Sequence, residues 1–205
     1  IEHAPDDAVI QQTQAVVGFD KLTLTAQGLQ KANPGLAVDL SPIAKGFGVD
    51  QVAAILEQNG ISNYLVEIGG EMRLKGVKPE QQLWKIAIEK PVNNDRAVQR
   101  ILVPGDIGVA TSGDYRIYFE ENGIRYSHLL DPRTGKPINN RTVSVTVLHP
   151  SCMTADGYAT ALNVMNAQEA LAFAEQHGIA VLLVAKTDDG FTELTSSAIK
   201  PYLTE

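Results

Sequence analysis

Cysteine is nearly missing from this chain: Cys152 is the only one among 205 residues. A lone thiol excludes an internal disulfide and any cysteine-based metal cluster. Basic residues are also in deficit, 17 against 24 acidic ones, for a net charge of −7. That balance argues against a nucleic-acid partner, which demands a basic face. Functional lysines and arginines would then serve a small phosphate ligand. No apolar run approaches the length of a membrane-spanning helix. No internal repeat, low-complexity tract or convincing linker is visible, and the Gly-Lys-Ser/Thr of a P-loop is absent. The chain opens at Ile1 without an initiator Met, which reads as a processed or truncated start.

What is present is the composition of an ordinary globular protein, 44% hydrophobic and 20% charged. Short alternating segments dominate. Phe19 to Thr25, Leu36 to Leu40, Tyr64 to Ile68 and Glu71 to Lys75 read as strands. So do Trp84 to Glu89, Ala97 to Val103, Gly108 to Thr111, Val143 to Leu148 and Ala180 to Ala185. Arg116 to Glu120 and Ile124 to Leu129 flank Asn122-Gly123, a hairpin signal, and Asp189-Gly190 makes another. Helices are expected over Ile43 to Gln58, Thr154 to Val164 and Ala167 to His177, the first capped by Ser41 with Pro42 in its first turn. The result is an α+β fold with a mainly antiparallel sheet and helices packed on it.

Four segments carry candidate chemistry. Asp156 and Thr160 are four residues apart on a helix-compatible stretch, so they share one face. A carboxylate and a hydroxyl without sulfur or imidazole suit Mg²⁺ better than zinc. Asp39-Leu40-Ser41-Pro42-Ile43-Ala44-Lys45 runs from a carboxylate into a helix start that carries a lysine, a setting that attracts anions. Thr111 and Ser112 put adjacent hydroxyls before Gly113. His128 sits where a strand meets the turn at Asp131-Pro132, and a histidine there can act as a general base. His3, His149 and His177 lack such company and read as structural or surface residues.

Together these segments resemble the ApbE family of FAD:protein FMN transferases. The carriers are Asp-Leu-Ser-Pro-Ile-Ala-Lys-Gly-Phe, Glu-Ile-Gly-Gly-Glu, Ala-Thr-Ser-Gly-Asp-Tyr, His-Leu-Leu-Asp-Pro-Arg-Thr-Gly-Lys-Pro and Ala-Asp-Gly-Tyr-Ala-Thr-Ala-Leu, in that order. The resemblance implies one domain over residues 1–205, related to the tunnelling (T-) fold and lacking an N-terminal segment that supplies part of the FAD site. It implies Mg²⁺-dependent transfer of FMN from FAD to a Thr or Ser hydroxyl of an acceptor protein, with release of AMP. The implied acceptor is a subunit of a membrane redox pump, and the implied location is periplasmic, or that of a periplasm-facing inner-membrane lipoprotein. By the same matching, Asp156, Thr160 and the Pro42 carbonyl hold the metal, while Asp39, Lys45 and Leu130 contact the flavin nucleotide. His128 is the expected base, Asp156 counts with it as catalytic, and Thr111 and Ser112 are expected near the flavin. A Mg²⁺-dependent FAD pyrophosphatase would share these residues with water as the nucleophile. A non-catalytic flavin-binding module is the remaining alternative.

Overall fold

A computed structural model describes residues 5–90, 98–113, 118–121 and 124–204 of the chain. Helix α1 (Asp7–Gln14) leads through a 3₁₀ turn, Phe19–Lys21, to a hairpin of β1 (Leu22–Thr25) and β2 (Gly28–Lys31). Helix α2 (Ser41–Gln58) follows, then β3 (Tyr64–Ile68) and β4 (Glu71–Lys75), and then β5 (Ile86–Glu89) and β6 (Val98–Leu102). Next come β7 (Gly108–Gly113), the paired β8 (Tyr118–Glu121) and β9 (Ile124–Ser127), and the very short β10 (Leu130–Asp131) and β11 (Lys136–Pro137). β12 (Thr142–His149), α3 (Cys152–Val164), α4 (Ala167–His177), β13 (Ala180–Thr187) and β14 (Gly190–Thr195) complete the chain before a final 3₁₀ segment, Ser197–Tyr202.

The chain divides into two compact units, Ile1–Asp39 with Tyr118–Asn139, and Leu40–Ile117 with Asn140–Glu205. The first holds α1 and three small hairpins. A four-residue turn joins β10 to β11, where Gly135, at φ +69°, donates its N–H to the Asp131 carbonyl at 2.7 Å. The Asp131 carboxylate also receives the Arg133 guanidinium, which holds its pKa below the usual range.

The second unit is built on a six-stranded, fully antiparallel sheet in the order β14-β13-β12-β7-β4-β3. One face meets α3 and α4 through Ala110, Val145, Val147 and Leu183 against Ala159, Leu162 and Ala174. The other is covered by the β5–β6 hairpin and the last 3₁₀ segment, through Leu74, Val109 and Leu182 against Ile88, Leu102 and Ile199. β13 is therefore buried on both faces, which explains its unbroken apolar run from Ala180 to Ala185.

A tightly constrained contact lies between α2 and α3. A Cβ on Gly46 would sit 2.4 Å from the Cys152 carbonyl oxygen, and one on Gly108 would sit 2.7 Å from the Cys152 Cα. The first residue of α3 is thus gripped between α2 and β7, where only glycine leaves room. Asp50 of α2 completes the grip: its carboxylate accepts from the Cys152 N–H (3.0 Å), the Met153 N–H (3.1 Å) and the Ser151 hydroxyl (2.8 Å). A carboxylate on the free N–H groups of a helix start satisfies both the donors and the helix dipole.

Most expected elements are present, with corrections. Leu36 to Leu40 forms no strand, and Phe19–Lys21 is a 3₁₀ turn rather than the start of β1. Ser41 is the first residue of α2 and Leu40 occupies the cap position. The β13–β14 turn falls at Asp188-Asp189, one residue earlier than expected, with Gly190 already in the strand. Arg116, Asn122 and Gly123 lie outside the described residues, although β8 and β9 pair as the hairpin that Asn122-Gly123 implied.

Gly108→Ala is expected to cost about 3 kcal/mol, because backbone rather than a flexible side chain must yield. A urea-denaturation midpoint that falls with an unchanged m-value checks this.

Candidate functional site

Asp156 and Thr160 both lie on α3, one turn apart, on the same side of the helix. Asp156 is 4% exposed, and its Oδ2 accepts the Gly46 N–H at 2.9 Å. Gly46 is four residues past Pro42, the spacing at which a helical N–H meets a carbonyl. Asp156 therefore meets α2 one turn past Pro42, and Thr160 lies one turn further along α3. Burial pushes the Asp156 carboxyl upward, and the Gly46 N–H and Lys45 pull it back.

Beside Asp156 stands a carboxylate to which the sequence assigned no role. Glu71, the first residue of β4, is 1% exposed and forms an ion pair with the Lys45 ammonium. Burial raises its pKa first, Lys45 opposes this, and the Asp156 charge raises it further. Gly69, at φ +61°, belongs to the same arrangement: a Cβ there would lie 3.1 Å from the Lys45 Cδ. The glycine turn thus makes the space across which the lysine stem lies.

The α3 polar stripe continues to Asn163, which is fully buried. Its amide donates to the Ser112 hydroxyl at 3.2 Å, and among the described residues its Oδ1 has no hydrogen-bond partner. Ser112 accordingly faces α3. Thr111 does not. Its hydroxyl pairs at 2.9 Å with Thr146 directly across in β12, and neighbouring Val109 belongs to the core on the opposite sheet face. The two adjacent hydroxyls expected to line one pocket point to opposite faces, as strand alternation requires.

Asp39, His128 and Leu130 belong to the first unit. Asp39 is exposed on the irregular segment before α2, and His128 is exposed in the bend after β9. Leu130 is 58% exposed, and in register with it stands Pro137, which has no N–H to offer its carbonyl. Asp114 and Tyr115 lie outside the described residues.

Among the described residues no group of three or more His, Cys, Asp or Glu could hold a metal ion. One carboxylate, one hydroxyl and one carbonyl are all hard oxygen donors. That set is too sparse for a dedicated cage, and fits a Mg²⁺ ion that takes its remaining ligands from phosphate and water.

The fold carries a helix-borne Asp/Thr pair and a lysine on an antiparallel sheet, and comparison with known proteins places the chain in one family. The profile described as "ApbE family" matches residues 1–183, and the chain belongs to this family. It is 56% identical over 201 residues to the FAD:protein FMN transferase of Vibrio cholerae serotype O1, a match covering 98% of this chain and 60% of the relative. Against the FAD:protein FMN transferase of Haemophilus influenzae the identity is 51%, with 97% and 59% covered. The chain therefore spans about 60% of the length of these curated relatives. The solved structure of the flavin transferase ApbE from Vibrio cholerae superposes with a TM-score of 0.90 at 54% identity, covering 99% of this chain and 64% of that one. The ApbE protein from Thermotoga maritima superposes at 0.86 with 29% identity, covering 99% and 65%. The mixed α+β fold with antiparallel pairing is thus that of ApbE structures.

Cys152 adjoins this site without the features of a nucleophile. Its thiol is fully buried and pushed up to about 12 by burial, reinforced by the charges of Asp50, Glu71 and Asp156. Alkylation by iodoacetamide near pH 8 is expected to be at least about a hundredfold slower in the native protein than in urea, because the thiolate is the reacting form. Labelling followed by intact mass checks it.

Proposed function

We propose that this chain catalyses Mg²⁺-dependent transfer of the FMN half of FAD to a Thr or Ser hydroxyl of an acceptor protein. The acceptor oxygen forms a bond to the FMN-side phosphorus while the bond from that phosphorus to the bridging oxygen breaks. AMP leaves with the electron pair, and the hydroxyl proton passes to a base. The observation that carries the reading is the buried Asp156 carboxylate, aligned with Thr160 and bonded to the Gly46 N–H at the contact between α2 and α3. The names of the relatives support it.

Asp156, Thr160 and the Pro42 carbonyl would hold the cation, which neutralises charge on phosphoryl oxygens when bound. Lys45 supplies a second positive charge at the diphosphate. Asp39 and the Leu130 main chain contact the nucleotide, Ser112 borders the flavin from β7, and Thr111 supports that strand from behind. His128 accepts the acceptor proton. The acceptor belongs to a membrane redox pump and the reaction takes place on the periplasmic side, both extensions of the family resemblance. Among the described residues no helix is long and apolar enough to cross a membrane.

The test is incubation with FAD, Mg²⁺ and an acceptor domain, read by intact mass and by AMP. A gain of one FMN on the acceptor together with AMP is the expected result. Free FMN and AMP with an unlabelled acceptor would replace the transferase with a pyrophosphatase, and absence of AMP would overturn both. Asp156→Ala is expected to cut AMP release about a thousandfold, the rate equivalent of roughly 4 kcal/mol, with the fold retained by circular dichroism. His128→Ala is expected to slow transfer by about a hundredfold or more while FAD affinity holds, as titration of flavin fluorescence would report.

A further inference from the structure

We propose that Glu71 is a positioning residue of the site: its buried carboxylate anchors the Lys45 ammonium beside Asp156 and so fixes the cation that meets the diphosphate. The inference rests on the transferase reading above and assigns a role to a residue that reading leaves idle. Three observations converge on Lys45. It projects from the first turns of α2 with its side chain 45% exposed, so its flexible stem is otherwise free to swing into solvent. Gly69 leaves the space in which the stem lies. Glu71, with its side chain 2% exposed, takes the ammonium at the end of that path.

A purely structural role explains the pair poorly. An ion pair with one buried partner is weak evidence of stabilisation, because taking the Glu71 carboxylate out of water offsets much of what the half-exposed Lys45 returns. Among the described residues Glu71 Oε2 has no hydrogen-bond partner besides this ion pair, so that oxygen is committed to Lys45, while a backbone hydrogen bond also helps hold the carboxylate. Burial raises the Glu71 pKa and Lys45 opposes it, while the Asp156 charge adds a smaller push upward. A lysine held by the buried Glu71 carboxylate stands in place before any phosphate arrives, which is the preorganised charge that phosphoryl transfer uses.

The test compares the wild-type chain with Glu71→Gln, Glu71→Asp, Lys45→Ala and the Glu71→Gln/Lys45→Ala double variant. The first readout needs no activity: competitive labelling of lysines with an amine-reactive ester near neutral pH, resolved by peptide mass. Lys45 is expected to react several-fold faster in Glu71→Gln than in wild type, with Glu71→Asp between them, as expected for loss of a charge-assisted contact. The second readout is FAD affinity and transfer. Glu71→Gln is expected to weaken FAD binding about tenfold, and to have no further effect once Lys45 is already Ala.

Equal Lys45 labelling in wild type and Glu71→Gln would overturn the proposal. So would an effect of Glu71→Gln that persists undiminished in the Lys45→Ala background, or a labelling gain with FAD affinity and transfer unchanged. A wild-type chain that releases no AMP would overturn the transferase reading and this inference with it. The labelling result would still show whether the two residues are paired.

Discussion

The close approach of α2 to α3 positions nearly everything else in the second unit. Gly46 and Gly108 remove the side chains that would keep Cys152 away, and Asp50 turns its carboxylate onto the N–H groups this approach exposes. The same approach brings the Gly46 N–H to Asp156. A carboxylate this well buried is costly without a donor, so the contact that packs the helices also makes the site carboxylate tolerable. Packing and chemistry share one backbone amide, and neither can be relaxed alone.

Charge at the site follows from burial. Asp156 and Glu71 together carry two potential negative charges against the single positive charge of Lys45, and burial works against both carboxylates. The surplus favours a cation. The net charge of −7 gives no long-range attraction to an anion, so in the proposed reaction nucleotide capture would depend on short-range neutralisation by Lys45 and by any cation held there.

Much of this was legible in the sequence because local signals agreed with the final packing. β3, β4 and α4 match their expected limits; α4 is closed by Asn166 at its N-cap and by Gly178 in the left-handed region. The helical spacing of Asp156 and Thr160 was enough to place them on one face. Other features needed tertiary structure. Leu36 to Leu40 has a strand pattern but no partner strand. The pairing of Thr111 with Thr146 depends on a register between strands some thirty-five residues apart. Glu71 appears as an ordinary charge at a hairpin start, and only burial beneath Lys45 makes it a site residue. Its signal was the glycine pair before it, which marked a turn but not what would lie across it.

Gly46 and Asp156 meet across 110 positions of sequence, and Asp50 reaches Cys152 across 102. No fragment of the chain can form this corner early: both halves of the second unit must be in place, and contacts so distant in sequence are slow to form. A ligand that needs the corner has nothing to hold on the unfolded chain. Its binding energy accrues wholly to the finished structure, by mass action. A ligand bound at this corner would therefore work as a latch that closes only after folding is complete, its concentration setting how seldom it reopens.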